Sequence, residues 1–181
     1  MITMMEALTS TELNILLLIQ QFIRTPVLTP VVIFLTSLGN AGIVWILVSA
    51  LLLIPKKTRK AGFISFLALT ASLFINNLLL KNLVRRIRPY DVCSALLPLV
   101  KKPLDFSFPS GHTGSSFASA YVLYRYLPKK AGIAALLLAA LIGLSRLYVG
   151  VHYPGDVLAG VVTGILSGRL ADWVYQRYFA G

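Results

Sequence analysis

The stretch Ser145-Arg146-Leu147-Tyr148-Val149-Gly150-Val151-His152-Tyr153-Pro154-Gly155-Asp156 puts a guanidinium, an imidazole and a carboxylate at the mouth of an apolar segment. Polar groups in such a place are expensive, and they mark function by default. His152 and Asp156 stand four residues apart around a Pro-Gly turn, so the carboxylate can bond one imidazole nitrogen. That bond fixes the tautomer and leaves the other nitrogen free to attack phosphorus. The only other histidine, His112, closes the tetrapeptide Pro109-Ser110-Gly111-His112. A serine and a glycine at a helix start offer a hydroxyl and free backbone N–H groups to an oxyanion, and the imidazole beside them is placed to protonate a leaving group. The bland reading of the same tetrapeptide is a helix cap followed by an interfacial histidine. Lys81 and Arg88-Pro89 form a third cluster. A lysine point charge and an arginine fork together suit a phosphate, and Arg146 can bind the same group. Arg85 and Arg86, by contrast, read as headgroup anchors that snorkel to the interface. A zinc centre competes poorly for these residues, because two histidines and one nearby carboxylate, with no cysteine close by, are few ligands.

The elements that must position these groups are membrane helices. The 181 residues are 57% hydrophobic and 13% charged, with a mean hydropathy of +0.79, which places the chain among integral membrane proteins. At roughly 20 residues per spanning helix there is room for five or six spans in an all-α, polytopic bundle. The single cysteine, Cys93, excludes an internal disulfide. The net charge of +11 does not indicate nucleic acid, because the basic residues lie in short loops between apolar runs. Membrane lipids and a phosphorylated substrate are the expected partners. The first ten residues lack a basic stretch and carry Glu6, so no cleavable signal is read there.

In chain order, residues 11–24 gather Asn14, Gln20, Gln21 and Arg24 on one arc and predict an amphipathic helix lying in the interface, ended at Thr25-Pro26. Residues 27–54 are apolar with a break at Gly39-Asn40, and 12–54 hold one span or two. Spans follow at 62–80, 113–127, 131–147 and 157–175, with Gly160, Gly164 and Gly168 as a small-residue packing face in the last. Counting the crossings puts the loop 81–111 and the turn 148–156 on one face. The basic turns 55–60 and 128–130 lie on the other, so the polar face looks outward from the cytoplasm. Tyr148, Tyr153, Trp173 and Tyr178 are expected to form interfacial belts. The organisation expected is an N-terminal segment, 1–39, and a membrane-embedded domain, 40–181.

Taken together, Lys81 with six residues before Arg88-Pro89, then Pro109-Ser110-Gly111-His112, then Ser145-Arg146 with five residues before His152 and three before Asp156, resemble the type 2 phosphatidic acid phosphatase family over about residues 40–175. The resemblance implies a metal-independent phosphomonoesterase or diphosphatase, without a cofactor, working through a phosphohistidine. It makes His152 the nucleophile, Asp156 its orienting partner and His112 the acid, with Lys81, Arg88, Ser110, Gly111 and Arg146 holding the phosphoryl oxygens. The substrate expected is a lipid phosphate: undecaprenyl diphosphate first, then phosphatidylglycerol phosphate or phosphatidic acid, at the outer face of a cytoplasmic membrane. The alternative from another class is a non-catalytic lipid-phosphate binding or transport protein that keeps the pocket.

Overall fold

The computed structural model describes residues 4–179, and every regular element among them is helical. Residues 1–3 and 180–181, which belong to the expected segments 1–39 and 40–181, lie outside the described residues. Helix α1 (Met4–Leu18) is prolonged by a π-helical turn, Ile19–Ile23, and stops at the extended residue Arg24. Helix α2 (Leu28–Leu38) and helix α3 (Ile43–Leu53) are joined by a tight 3-10 turn and meet at 50°. Ala41 and Gly42 take φ of 50° and 68° there, a left-handed conformation that no continuous helix of L-residues can hold. The expected break at Gly39-Asn40 is therefore present, and it faces the cluster described below.

Helix α4 (Arg59–Ser72) continues through a π-helical stretch, Leu73–Leu80, into α5 (Lys81–Val84), and the short α6 (Pro89–Val92) follows. The run expected to end at residue 80 thus carries Lys81 on its last turn. Helices α7 (Gly111–Tyr126), α8 (Lys129–Tyr148) and α9 (Pro154–Tyr178) complete the chain. Three helices, Arg59–Val92, Lys129–Tyr148 and Pro154–Tyr178, are long and apolar enough to cross a membrane, and the bent α2–α3 pair makes a fourth when taken as one span. The protein is an all-α, multi-pass membrane protein.

Helix α7 sits in the middle, packed by α4, α8 and α9. Its sequence explains this: Thr113, Gly114, Ser116, Ala118, Ser119 and Ala120 are all buried, and such small side chains let three backbones approach closely. Each glycine of the α9 stripe faces α7. A methyl group at Gly160 would stand 2.8 Å from the Ser110 carbonyl oxygen, one at Gly164 would stand 2.5 Å from that of Gly114, and one at Gly168 2.9 Å from that of Ala118. Buried hydroxyls add interhelical hydrogen bonds. Ser65 Oγ on α4 lies 2.7 Å from both Ser49 Oγ on α3 and Ser119 Oγ on α7, and Trp45 Nε1 donates to Ser116 Oγ at 2.8 Å. Such bonds between membrane helices are worth about 0.6 kcal/mol each on average, so close packing does more than they do. Outward, Leu137, Leu141 and Leu144 of α8 and Leu158, Val162, Leu166 and Leu170 of α9 are exposed at helical spacing, forming apolar stripes fit for lipid.

The ends of the helices sort as the crossing argument requires. Lys60 Nζ, at the start of α4, lies 5.2 Å from the Tyr126 ring centroid at the end of α7 and 4.9 Å from that of Tyr175 near the end of α9. The opposite end collects the loop 85–110 and the turn 149–153. The expected aromatic belt is corrected in part: Trp173 and Tyr178 are exposed, but Tyr148 and Tyr153 are buried. Tyr148 packs with Val32, Tyr90, Val149 and Val151, and Tyr153 with Leu16 and Leu96. Both rings hold loop and N-terminal segments against the bundle, a job invisible without knowing what lies above the turn.

Candidate active site

A cavity of about 470 Å³ opens at the loop end of the bundle, with Lys81, Arg88, Gly111, His112, Arg146 and His152 in its wall. Three separate stretches of sequence thus converge. Lys81 comes from the last turn of the α4–α5 run, Arg88 from the residue before α6, His112 from the first turn of α7, Arg146 from the last turn of α8, and His152 from the turn before α9. The wall continues past the cations into Ile46, Phe66, Leu69 and Leu73 of α3 and of the α4 run. The same opening therefore joins a cationic head region to an apolar groove.

Ser110 and Asp156 stand behind this wall. Ser110 is the N-cap of α7 and its Oγ accepts from Thr113 N at 3.4 Å and from Thr113 Oγ1 at 2.9 Å. It is fully buried, and its own N–H donates to the Asp156 carbonyl at 3.0 Å, tying the two motifs together. Gly111 follows as the first helical residue, where backbone N–H groups have no partner within the helix. Asp156 belongs to the first turn of α9, where its Oδ2 accepts from the Tyr153 N–H at 3.0 Å. A carboxylate there also complements the helix dipole.

His152 is buried, with Nδ1 3.4 Å from Asp156 Oδ2 and Nε2 3.5 Å from Arg88 Nη1. Its basicity is pushed down to about 3, first by burial and then by the charges of Arg88 and Arg146, against the raising effect of Asp156. The imidazole is therefore neutral at neutral pH, with Nε2 available on the side of the cations. Arg88 is held by the Val151 carbonyl at 2.7 Å and by the Asp105 carbonyl at 2.8 Å. Arg146 donates to Thr36 Oγ1 of α2 at 2.5 Å, while its Nε is buried with no partner among the described residues. His112 Nε2 lies 3.0 Å from Asn40 Oδ1 in the α2–α3 break. Room for that ring comes from Gly39: a methyl group there would stand 2.7 Å from His112 Cδ2.

Four side chains at this site were not assigned to it by the sequence reading. Asp105 pairs with both Lys81 and Arg88, reaching Arg88 Nη2 at 2.7 Å. Burial alone would raise its pKa, but the hydrogen bond and charge of Lys81, with the charge of Arg88, hold it below the ordinary carboxylate range. Ser107 Oγ donates to Asp156 Oδ2 at 2.5 Å and lies 3.5 Å from His152 Nδ1. Arg86 is not a lipid anchor. It pairs with Asp156 Oδ1 at 2.8 Å and with Glu12 of α1, which is buried. The available signal was scarcity: six acidic side chains stand against 17 basic ones, so each carboxylate was a candidate partner for a motif cation. Among the described residues, no group of three or more His, Cys, Asp or Glu side chains gathers as a metal-ligand set.

A helical membrane bundle whose cavity joins cations and imidazoles to an apolar groove defines a class of protein that handles amphipathic anions. The chain belongs to the PAP2 superfamily, whose family model matches residues 61–180. An undecaprenyl-diphosphatase of Sulfolobus acidocaldarius is 36% identical over 137 residues, which are 76% of this chain and 66% of that protein, so the chain spans just under two thirds of that relative. Among solved structures, a transmembrane PAP2-type phosphatidylglycerolphosphate phosphatase from Bacillus subtilis superposes with a TM-score of 0.76 at 30% identity, over 95% of this chain and 88% of that one. LpxE of Aquifex aeolicus does so with a TM-score of 0.78 at 30% identity, over 89% and 94%.

Proposed function

We propose that the protein is a lipid-phosphate phosphatase that works through a phosphohistidine on His152. The observation that carries the reading is the placement of a buried, neutral His152 between the Asp156 carboxylate and a cationic cluster that opens into an apolar groove. Lys81, Arg88 and Arg146, with the N–H groups around Gly111, hold the phosphoryl oxygens, and Ser110 fixes that helix start. Clamping by cations is what phosphoryl transfer chiefly asks of a protein. His152 Nε2 attacks phosphorus as the bond to the leaving oxygen breaks, and Asp156 stabilises the positive charge that develops on the ring. His112 gives a proton to the leaving oxygen. The arriving phosphate supplies the negative charge that favours the protonated form of His112. A water then loses a proton to His112 and attacks the phosphohistidine, the N–P bond breaks, and inorganic phosphate leaves.

No step in this sequence calls on a metal ion, so activity is expected to survive a chelator. The leading substrate is undecaprenyl diphosphate, in keeping with the outward-facing site and with the named activity of the Sulfolobus acidocaldarius relative. Phosphatidylglycerol phosphate and phosphatidic acid come next. The chain crosses a cytoplasmic membrane five times, with α2 and α3 as one bent span and α7 as the central one. Residues 1–39 form the N-terminal segment and 40–181 the phosphatase domain, with the basic turns inside and the cavity outside.

The test is phosphate release by purified, detergent-solubilised protein with EDTA present, on the three lipids, beside His152→Ala. Release that persists in EDTA and is lost in the variant is the expected result. Folded protein that binds vanadate but releases phosphate from none of the lipids would overturn the enzyme in favour of a lipid-phosphate binding or transport protein.

A further inference from the structure

The carboxylate of Asp156 is divided between two tasks. Its Oδ2 faces His152 Nδ1 and accepts from Ser107 Oγ and Tyr153 N, while its Oδ1 accepts from Arg86 Nη1 at 2.8 Å. Arg86 is itself fixed on two further sides. Its guanidinium carbon lies 3.7 Å from the centroid of the Tyr153 ring, and its Nη2 donates to Glu12 Oε2. Glu12 comes from α1, and its other oxygen accepts the Gly155 N–H at 2.6 Å, in the first turn of α9. Asp156 is fully buried and Glu12 nearly so. Two carboxylates thus flank one arginine, and one of them belongs to a helix outside all three motifs.

We infer that Arg86, held by Glu12 of α1, is a positioning residue for the His152–Asp156 pair. The inference rests on the roles given above to His152 and Asp156. A planar fork that bonds two carboxylates while stacked on an aromatic ring has little freedom. It sets the plane of the Asp156 carboxylate and so decides which oxygen meets the imidazole. Groups of this kind behind an orienting carboxylate govern the tautomer and direction of the histidine, as they do behind metal-ligating histidines. The Arg86 side chain pairs with Asp156 and Glu12 and is not in the cavity wall, so its contribution belongs to turnover and not to binding. Through Glu12, α1 becomes part of the catalytic apparatus.

The experiment compares wild type with Arg86→Gln, Arg86→Lys and Glu12→Gln as full-length purified proteins. It reads kcat and KM on the best of the three lipids, and the 15N spectrum of histidine-labelled protein. With only two histidines in the chain, the His152 signals are assigned by comparison with His112→Ala. Arg86→Gln should lower kcat by 10- to 100-fold with KM within threefold, and should turn a single Nδ1-protonated tautomer of His152 into a mixture. Glu12→Gln should lower kcat by three- to tenfold. If Arg86→Gln does not fold, Arg86→Lys carries the test: it keeps the charge but reaches one carboxylate only, and kcat should fall about tenfold. A wild-type kcat and an unchanged tautomer in the folded variants would overturn the inference, as would a loss confined to KM, the result for a headgroup anchor. An inactive wild type, or an active His152→Ala, would instead overturn the phosphatase reading beneath it.

Discussion

Asp105 should behave as an internal competitor of the phosphate. Its carboxylate bridges Lys81 and Arg88, two of the cations that line the cavity, and its side chain is 49% exposed. At about 4 Å between charge centres and an effective dielectric near 20, Coulomb's law gives about 4 kcal/mol per pair. Half-exposed pairs deliver far less after solvation and side-chain ordering, about 0.2–1 kcal/mol each. Two such pairs sum to about 0.4–2 kcal/mol, a range whose upper half includes the 1.4 kcal/mol that corresponds to a tenfold change in affinity. An anion that enters must displace that carboxylate, so Asp105→Asn should bind orthovanadate, a tetrahedral oxyanion, about tenfold more tightly. Isothermal titration calorimetry on the purified protein measures this without requiring turnover, and a melting curve confirms that the variant is folded. Unchanged or weaker vanadate binding would refute the reasoning. It would mean that Asp105 organises Lys81 and Arg88 for the ligand and does not compete with it.

Two further expectations come from packing and from protonation. Gly164→Ala places a methyl group 2.5 Å from the Gly114 carbonyl oxygen and 2.9 Å from Phe117 Cβ. It should cost about 1–3 kcal/mol of overpacking, lowering Tm in detergent by roughly 3–10 °C, whereas Leu166→Ala on the exposed face should leave Tm almost unchanged. His152 stays neutral in the fold down to pH about 3, while the unfolded chain protonates it near 6.5. The unfolded state thus binds the extra proton between those values, and stability falls as pH drops below about 6.5, by up to ~1.4 kcal/mol per pH unit from this group. The 15N signals of His152 should remain those of a neutral ring at pH 5, and the loss of stability on acidification should be smaller in His152→Gln.

Much of the site could be read from spacing alone, since α7 and α8, lying between His112 and Arg146, run away from the end that holds Lys81, Arg88 and His112 and return Arg146 and His152 to it. Hydropathy marks those helices, and the pattern of small residues in α9 marks its partner face. Periodicity could not show that Ser72 is followed by a π-helical stretch. That change of winding, rare in proteins but frequent at functional sites, immediately precedes Lys81 and so bears on where it points. The surroundings of the motifs were also hidden. Arg86 looked like any cation at a helix end until Glu12, 74 residues away in sequence, was brought beside it. Tyr148 and Tyr153 looked like belt residues for the same reason: nothing in their own neighbourhood tells that α1 and the loop 93–100 fold over them. Local signals reported the groups at the cavity, and the long-range contacts that orient those groups left no local trace.

On the proposed phosphatase reading, the apolar floor of the cavity, formed by Ile46, Phe66, Leu69 and Leu73 between α3 and the α4 run, would change what concentration means for this protein. A substrate that reaches the cations sideways from the leaflet never passes through water, so its supply is set by its mole fraction among neighbouring lipids and by lateral diffusion in two dimensions. Enlarging the membrane at a fixed amount of substrate dilutes it as surely as adding buffer dilutes a soluble one. Water and the phosphate set free would, by contrast, exchange at the loop end with a three-dimensional bath. The two sides of the proposed reaction would thus be governed by different dimensionalities, with the boundary between them at the cationic cluster.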